Sequence, residues 1–273
     1  MKKRERSMPK VLANGLTINY EIHGTGEPLL LVNGLADDLS SWASQVEPFS
    51  SRYQVIIFDN RGIGETDKPA GGYTTADMAA DAVSLLGALN IPRAHVLGVS
   101  MGGMIAQEIA LRYPERVNKL LLCCTCSEAS EANKRLYRIW QETAPILGLP
   151  QMMKEVLLWC FSTEFFQEHP QAAQETEEAL TGISQPVEAY LSQLYSIQVH
   201  NATSRLGGIS APTLVLGAPN DLIFPPFQSR QLHEGIPGST LRFTEHGGHA
   251  FLWEAADEFN QAVLEFLDGT GDA

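Results

Sequence analysis

Cysteine is scarce in this 273-residue chain, with Cys123, Cys124 and Cys126 crowded together and Cys160 apart. Four residues so placed are too few and too clustered for a disulfide scaffold. Cys123-x-x-Cys126 lacks the second pair that a zinc site needs. The cysteines therefore read as small apolar residues closing a buried strand. Positive charge is scarce as well: 19 Lys and Arg stand against 32 Asp and Glu, for a net charge of −13. That balance favours solubility and argues against nucleic acid or an anionic membrane as the main partner. Long apolar runs are missing. Even the basic start, with Lys2, Lys3, Arg4, Arg6 and Lys10, leads into none. It reads as a frayed end, neither a secretory signal nor a membrane span, and a cytoplasmic address is the expectation. Metal-ligand spacing is absent around His23, His95, His169, His200 and His233, and no metal or cofactor is expected. The loop Asp59 to Pro69 has Gly62 and Gly64 but not the third glycine of G-x-G-x-x-G, and no helix start follows, which leaves it a structural turn.

What is present suffices for a large core, since 44% of the residues are hydrophobic. Apolar and polar residues alternate on both sides of Asn14-Gly15, a hairpin pattern. Continuous apolar runs follow at 27–32, 53–58, 94–99 and 117–124, each the mark of a strand buried on both faces. Helical spacing fills the intervals, from Ser41 to Phe49, from Thr74 or Thr75 to Asn90, and from Met104 to Tyr113. This alternation implies a mostly parallel sheet with right-handed crossovers and helices on both faces. Between Ser127 and about Gly207 no strand pattern is found, only helix-like stretches punctuated by Pro145, Pro150, Pro170 and Pro186. Strand patterns resume at 211–217 and 239–244, and a helix from Glu254 to Leu267 closes the chain. The organisation expected is an α/β core over 9–126 and 211–269, interrupted by a helical cap over 127–210.

Chemistry enters at Gly98-Val99-Ser100-Met101-Gly102, which joins a strand to a helix. Gly-x-Ser-x-Gly in that setting is a nucleophile elbow, a turn so tight that the serine hydroxyl projects from the sheet edge. A serine hydroxyl is a poor nucleophile at neutral pH and needs a base, and the base needs an orienting acid. Functional groups of open α/β sheets gather at the carboxyl ends of strands. That rule selects Asp221, after the strand at 211–217, and the histidines of Glu245-His-Gly-Gly-His249. His249 is preferred because the glycine pair before it permits a loop sharp enough to return the ring to Ser100; His246 is the reserve. Taken alone Asp221 would read as a turn residue. The order Ser, Asp, His is the one the elbow predicts. For the oxyanion of a tetrahedral intermediate, the N–H groups of Met101 and Leu35 are the expected donors. Asn33 is either a turn residue or part of the pocket.

Asp59-x-Arg61-Gly62-x-Gly64 and Gly98-x-Ser100-x-Gly102-Gly103 together resemble the two signature motifs of the α/β-hydrolase fold, over nearly the whole chain. The resemblance implies an eight-stranded, mostly parallel sheet, an inserted helical cap, and catalytic roles for Ser100, Asp221 and His249. Asn33 to Trp42 and Gly98 to Met104 are similar to the 3-oxoadipate enol-lactonases and related small esterases, although many members of the family carry His-Gly where this chain has Asn33-Gly34. Serine at position 100 speaks against the haloalkane dehalogenase and epoxide hydrolase branches. Large apolar cap residues, among them Trp140, Trp159, Phe161 and Tyr190, suit an apolar or aromatic ester or lactone, while each also reads as the cap's own core. A dicarboxylate enol-lactone would want a cation, for which Arg135, Arg138, Lys154 and Arg205 are available. The expectation is a cofactor-free serine hydrolase of esters or lactones. Two rivals stand beside it: a carbon–carbon hydrolase of ring-fission products, and a non-catalytic ligand receptor on the same fold.

Overall fold

The computed structural model describes residues 9–182 and 185–270. The basic residues Lys2 to Arg6, expected to be frayed, lie outside them. The chain opens with β1 (Lys10–Ala13) and β2 (Leu16–His23), paired antiparallel through a turn at Asn14 and Gly15 with φ of 51° and 75°. Positive φ at both central positions is what the primed hairpin turn requires. The remaining strands are β3 (Glu27–Val32), β4 (Tyr53–Phe58), β5 (Ala94–Val99), β6 (Val117–Cys123), β7 (Thr213–Gly217) and β8 (Thr240–Phe243). They form one sheet in the order β1-β2-β4-β3-β5-β6-β7-β8, parallel from β4 onward, with β2 antiparallel to β4.

Because side chains alternate across a strand, each buried strand feeds two cores. Leu30, Ile56, Val96, Leu120 and Val215 point to the side covered by α2 (Thr75–Ala88), α3 (Met101–Arg112) and α9 (Pro226–Gly235). Their neighbours Leu29, Val55, Leu97, Leu121 and Leu214 point to the side covered by α1 (Ala43–Ser50) and the last helix. Helix α3 is buried nearly all round, from Met101 to Ala110, as befits a helix packed between sheet, α2 and the insertion.

Between β6 and β7 lie α4 (Glu131–Leu147), α5 (Leu149–Cys160), α6 (Thr163–Glu168), α7 (Pro170–Thr181) and α8 (Val187–Val199). This cap contains no strand among the described residues; a single bridge pairs Glu128 with Asn201 at its base. Three expectations need correction. The closing helix is broken: α10 (Phe251–Glu254) is followed by Ala255 at φ −124°, ψ 48°, and only then by α11 (Ala256–Asp268). The helix expected from Ser41 begins as a 3-10 turn at Leu39–Trp42 before α1. Cys160 closes no strand; it ends α5. The other three cysteines are buried in or just after β6, and none of the four is bridged.

Candidate active site

Ser100 sits between β5 and α3 at φ 55°, ψ −121°, a left-handed backbone that a non-glycine residue holds only under constraint. The constraint is visible in its neighbours. The Ser100 N–H donates to the Cys123 carbonyl at 3.0 Å, and its carbonyl accepts the Thr125 hydroxyl at 2.7 Å. A Cβ on Gly98 would stand 2.1 Å from the Gly102 carbonyl oxygen, and one on Gly102 would stand 2.0 Å from that of Val32. Strand, turn and helix can approach this closely only without those side chains.

The structure brings the three separated residues together. His249 Nε2 lies 3.0 Å from Ser100 Oγ, and His249 Nδ1 lies 2.9 Å from Asp221 Oδ2. The other carboxylate oxygen of Asp221 accepts the N–H groups of Ile223 at 2.8 Å and Phe224 at 2.7 Å, so every oxygen of this buried acid is occupied. Chemically the arrangement can take a proton from the hydroxyl and hold the resulting imidazolium against a fixed carboxylate. His246, the reserve, is exposed and pairs with Glu258 instead. Met101 is the first residue of α3, where backbone N–H groups have no partner within the helix and the helix dipole favours negative charge.

The loop that carries Leu35 is pinned from three directions. Asn60 Nδ2 donates to the Asn33 carbonyl at 3.1 Å, the Ala36 N–H donates to Gln193 Oε1 at 3.1 Å, and the Leu39 N–H donates to Asp59 Oδ1 at 2.8 Å. Asp59 also accepts from Asn19 Nδ2 and the Glu65 N–H, both at 2.8 Å. Burial pushes its carboxyl up, and these hydrogen bonds oppose that. The Asp59 turn thus organises the loop.

A family model described as the alpha/beta hydrolase fold matches residues 27–147. A protein of Variovorax paradoxus, RutD, named as a candidate carbamate hydrolase, is 32% identical over 260 residues that span 92% of this chain and 96% of the relative. The chain belongs to the α/β-hydrolase fold family. The 3-oxoadipate enol-lactonase 2 of Acinetobacter baylyi is 30% identical, with coverage of 92% and 93%. The solved enol-lactonase of Burkholderia xenovorans LB400 superposes with a TM-score of 0.89 at 28% identity, over 95% of this chain and 100% of that one. With these relatives the chain is a hydrolase of the α/β-hydrolase fold.

Over Ser100 the hydrolase fold leaves a cavity lined by Leu35, Val99, Ser100 and His249 from the core and by Trp140, Phe161 and Tyr190 from the cap. Two residues expected at the pocket are elsewhere. Trp159 is 36% exposed, because the cavity face of α5 is set by Met153, Val156 and Cys160, and Trp159 falls outside that helical phase. Asn33 is buried beneath the loop with its carbonyl held by Asn60, and it does not line the cavity. None of the four candidate cations lines it either. Arg135 pairs with Glu131, Lys154 with Glu177 and Arg205 with Glu108, and Arg138 is exposed.

Sequence reasoning missed Asp37. Its carboxyl lines the cavity, and a Cβ on Gly34 would lie 2.9 Å from Asp37 Oδ2 and 3.4 Å from Ser100 Cβ, so the two side chains share one corner. Burial pushes the Asp37 carboxyl up to about 7; the positive charge available on His249 opposes this, Asp38 adds repulsion, and the Ser41 hydroxyl favours ionisation. Asp37 is partly buried at the cavity wall, and burial is the largest cause of the shift. Asp37 and Asp38 are adjacent acids on a polar loop, and nothing local marks one of them as turned inward. Cys160 also lines the cavity, with its thiol held protonated by burial and by the acids around it, Asp37, Asp221 and Glu254.

The cap meets the core beside each of these groups. Gln193 of α8 holds Ala36, as above. Asn133 of α4 donates to the Ile223 carbonyl at 2.6 Å, next to the N–H groups that hold Asp221. The Ala250 N–H, one residue past His249, donates to the Cys160 carbonyl at 2.8 Å, and Glu254 accepts the Gly248 N–H at 2.9 Å and the Ser162 hydroxyl at 2.5 Å.

Proposed function

We propose that the chain is a serine hydrolase of carboxylic esters or lactones that works through an acyl-enzyme on Ser100. The observation that supports this most directly is the continuous line from Ser100 Oγ through His249 to Asp221, with contacts of 3.0 Å and 2.9 Å. In this reading His249 Nε2 takes the Ser100 proton as Oγ bonds to the substrate carbonyl carbon. Asp221 fixes the ring with Nδ1 as donor and stabilises the imidazolium. The N–H groups of Met101 and Leu35 receive the oxyanion. Collapse of the intermediate expels the alkoxide, which leaves with the proton from His249. Water then attacks the acyl-enzyme with His249 again as base, and Ser100 is regenerated.

The substrate is a small neutral molecule with an apolar body. A cavity without Lys or Arg gives no partner to the carboxylates of a dicarboxylate enol-lactone, and an inward Asp37 opposes them. The acidic chain and the absence of any helix among the described residues long and apolar enough to cross a membrane are consistent with a cytoplasmic enzyme. The test follows p-nitrophenyl butyrate and an enol-lactone side by side with wild type and Ser100→Ala. Ester turnover lost in the variant is the expected result; substantial turnover remaining in Ser100→Ala sinks the mechanism. Turnover of a vinylogous diketone without ester turnover would move the assignment to carbon–carbon cleavage.

A further inference from the structure

A mainly apolar cavity poses a difficulty for the second half of a hydrolysis. A water molecule is held only where it finds two or more polar partners. The cavity above Ser100 offers few of them. The Tyr137 and Tyr190 hydroxyls and Trp140 Nε1 are buried beneath its surface. Trp253 Nε1 donates to the Ser41 carbonyl at 2.8 Å, and the thiols of Cys124 and Cys160 are weak partners that burial keeps protonated. Among the described residues, Asp37 is then the one strongly polar side chain of the lining besides Ser100 and His249.

Asp37 stands on the loop after β3 and is partly exposed, unlike Asp221. Its Oδ2 and the Ser100 Cβ both crowd the place where Gly34 has no side chain, at 2.9 Å and 3.4 Å from a Cβ built there, so the carboxyl sits beside the nucleophile. It is also within electrostatic reach of His249. Among the described residues its one side-chain partner is the Ser41 hydroxyl, whereas a carboxylate has about four acceptor sites. The group therefore has hydrogen-bonding capacity to spare, beside the atom that would carry an acyl group and near the base. Ionised it accepts from a water, and protonated it can accept and donate, so either form can hold one.

We propose that Asp37 positions the water that deacylates Ser100, and so makes the enzyme a hydrolase rather than an acyltransferase. The proposal rests on the acyl-enzyme reading given above. Once Ser100 Oγ carries the acyl group, His249 Nε2 has lost its hydroxyl partner and is free to accept a proton. A water then donates one O–H to Nε2 and the other to Asp37, with its oxygen aimed at the acyl carbon. That oxygen bonds to the carbon as Nε2 takes the first proton; the second stays on the oxygen, still held by Asp37. The bond from carbon to Oγ breaks, Oγ recovers the proton from Nε2, and the acid leaves. Asp37 holds the water without exchanging a proton with it, and acylation does not need it.

The experiment gives wild type, Asp37→Leu and Asp37→Asn p-nitrophenyl butyrate together with benzyl alcohol, an acceptor that the apolar wall can hold without Asp37. Butyrate reports water as the acceptor, and benzyl butyrate reports transfer to the alcohol. Leucine should raise the ratio of benzyl butyrate to butyrate about tenfold, the worth of one well-placed hydrogen bond. Asparagine, which can still pair with a water, should keep the ratio near that of wild type. First-turnover release of p-nitrophenol, which reads acylation, should be the same in all three. An unshifted ratio in Asp37→Leu overturns the proposal, and so does an equal shift in Asp37→Asn. First-turnover release that falls as far as hydrolysis does so too, since Asp37 would then serve acylation or the folding of the site. Failure of the hydrolase reading looks different: wild type would release no p-nitrophenol, or Ser100→Ala would release it as fast as wild type.

Discussion

The two walls of the cavity handle polar groups in opposite ways. On the core side each is tied: both oxygens of Asp221 are occupied, His249 is held at both ring nitrogens, and the Ser100 backbone is clamped at its N–H and its carbonyl. On the cap side the Tyr137 and Tyr190 hydroxyls and Trp140 Nε1 are buried and find no partner among the described residues. A tied network fixes atoms in one arrangement, which bond-making chemistry demands. A mainly apolar wall fixes no single polar arrangement, and it selects among ligands by shape and apolar contact.

The hardest strike at the tied side is Asp221→Asn. The amide oxygen can still accept from Ile223 and Phe224, but the amide nitrogen would face His249 Nδ1 and favour the wrong tautomer. A fall in kcat of about 10³ to 10⁴ with KM nearly unchanged is expected in steady-state assays; a change confined to KM would break the contrast between the walls. Next in size is Gly102→Ala, where the new Cβ would meet the Val32 carbonyl at 2.0 Å. Urea denaturation should show a loss of about 3 kcal/mol, the upper end for an overpacked site.

Asp37→Asn sharpens the comparison through pH. With its carboxyl raised from 3.8 to about 7, the folded protein keeps a proton that the unfolded chain releases. Asp37 therefore makes stability fall as pH rises across that window. The wild-type loss between pH 4 and pH 7 should be smaller in the asparagine variant, read by denaturation at both ends of the range. The smallest effect is expected at Trp159→Ala. A side chain outside the cavity phase of α5 should leave KM within about twofold and stability within about 1 kcal/mol.

The tied side was largely legible in the sequence, because its devices are local. Gly98-x-Ser100-x-Gly102 specifies its own turn, Asn14-Gly15 its own hairpin, and the strand ends place Asp221 and His249 on one edge. The cap side was not, because which face of a helix looks inward depends on neighbours far along the chain. Trp140 and Trp159 are equally apolar as letters, and only the packing of α4 and α5 separates them. The inward position of Tyr137 has the same origin. Asp37 turns inward because its loop folds against Asp59 and Gln193, 22 and 156 residues onward. The break at Ala255 adjoins Glu254, whose carboxylate is occupied by Ser162 of the cap and by Gly248.

Those cap-to-core contacts have a consequence for how such a protein could be re-engineered. Gln193, Asn133 and the Cys160–Ser162 corner each grip the loop of a different member of the site, at Ala36, Ile223 and Ala250. The insertion is therefore not an interchangeable module set on a finished active site. A chimera that replaced the helices between β6 and β7 to acquire a new specificity would also have to carry these three joints, or it would acquire a new pocket over unsupported loops at Ala36, Ile223 and Ala250.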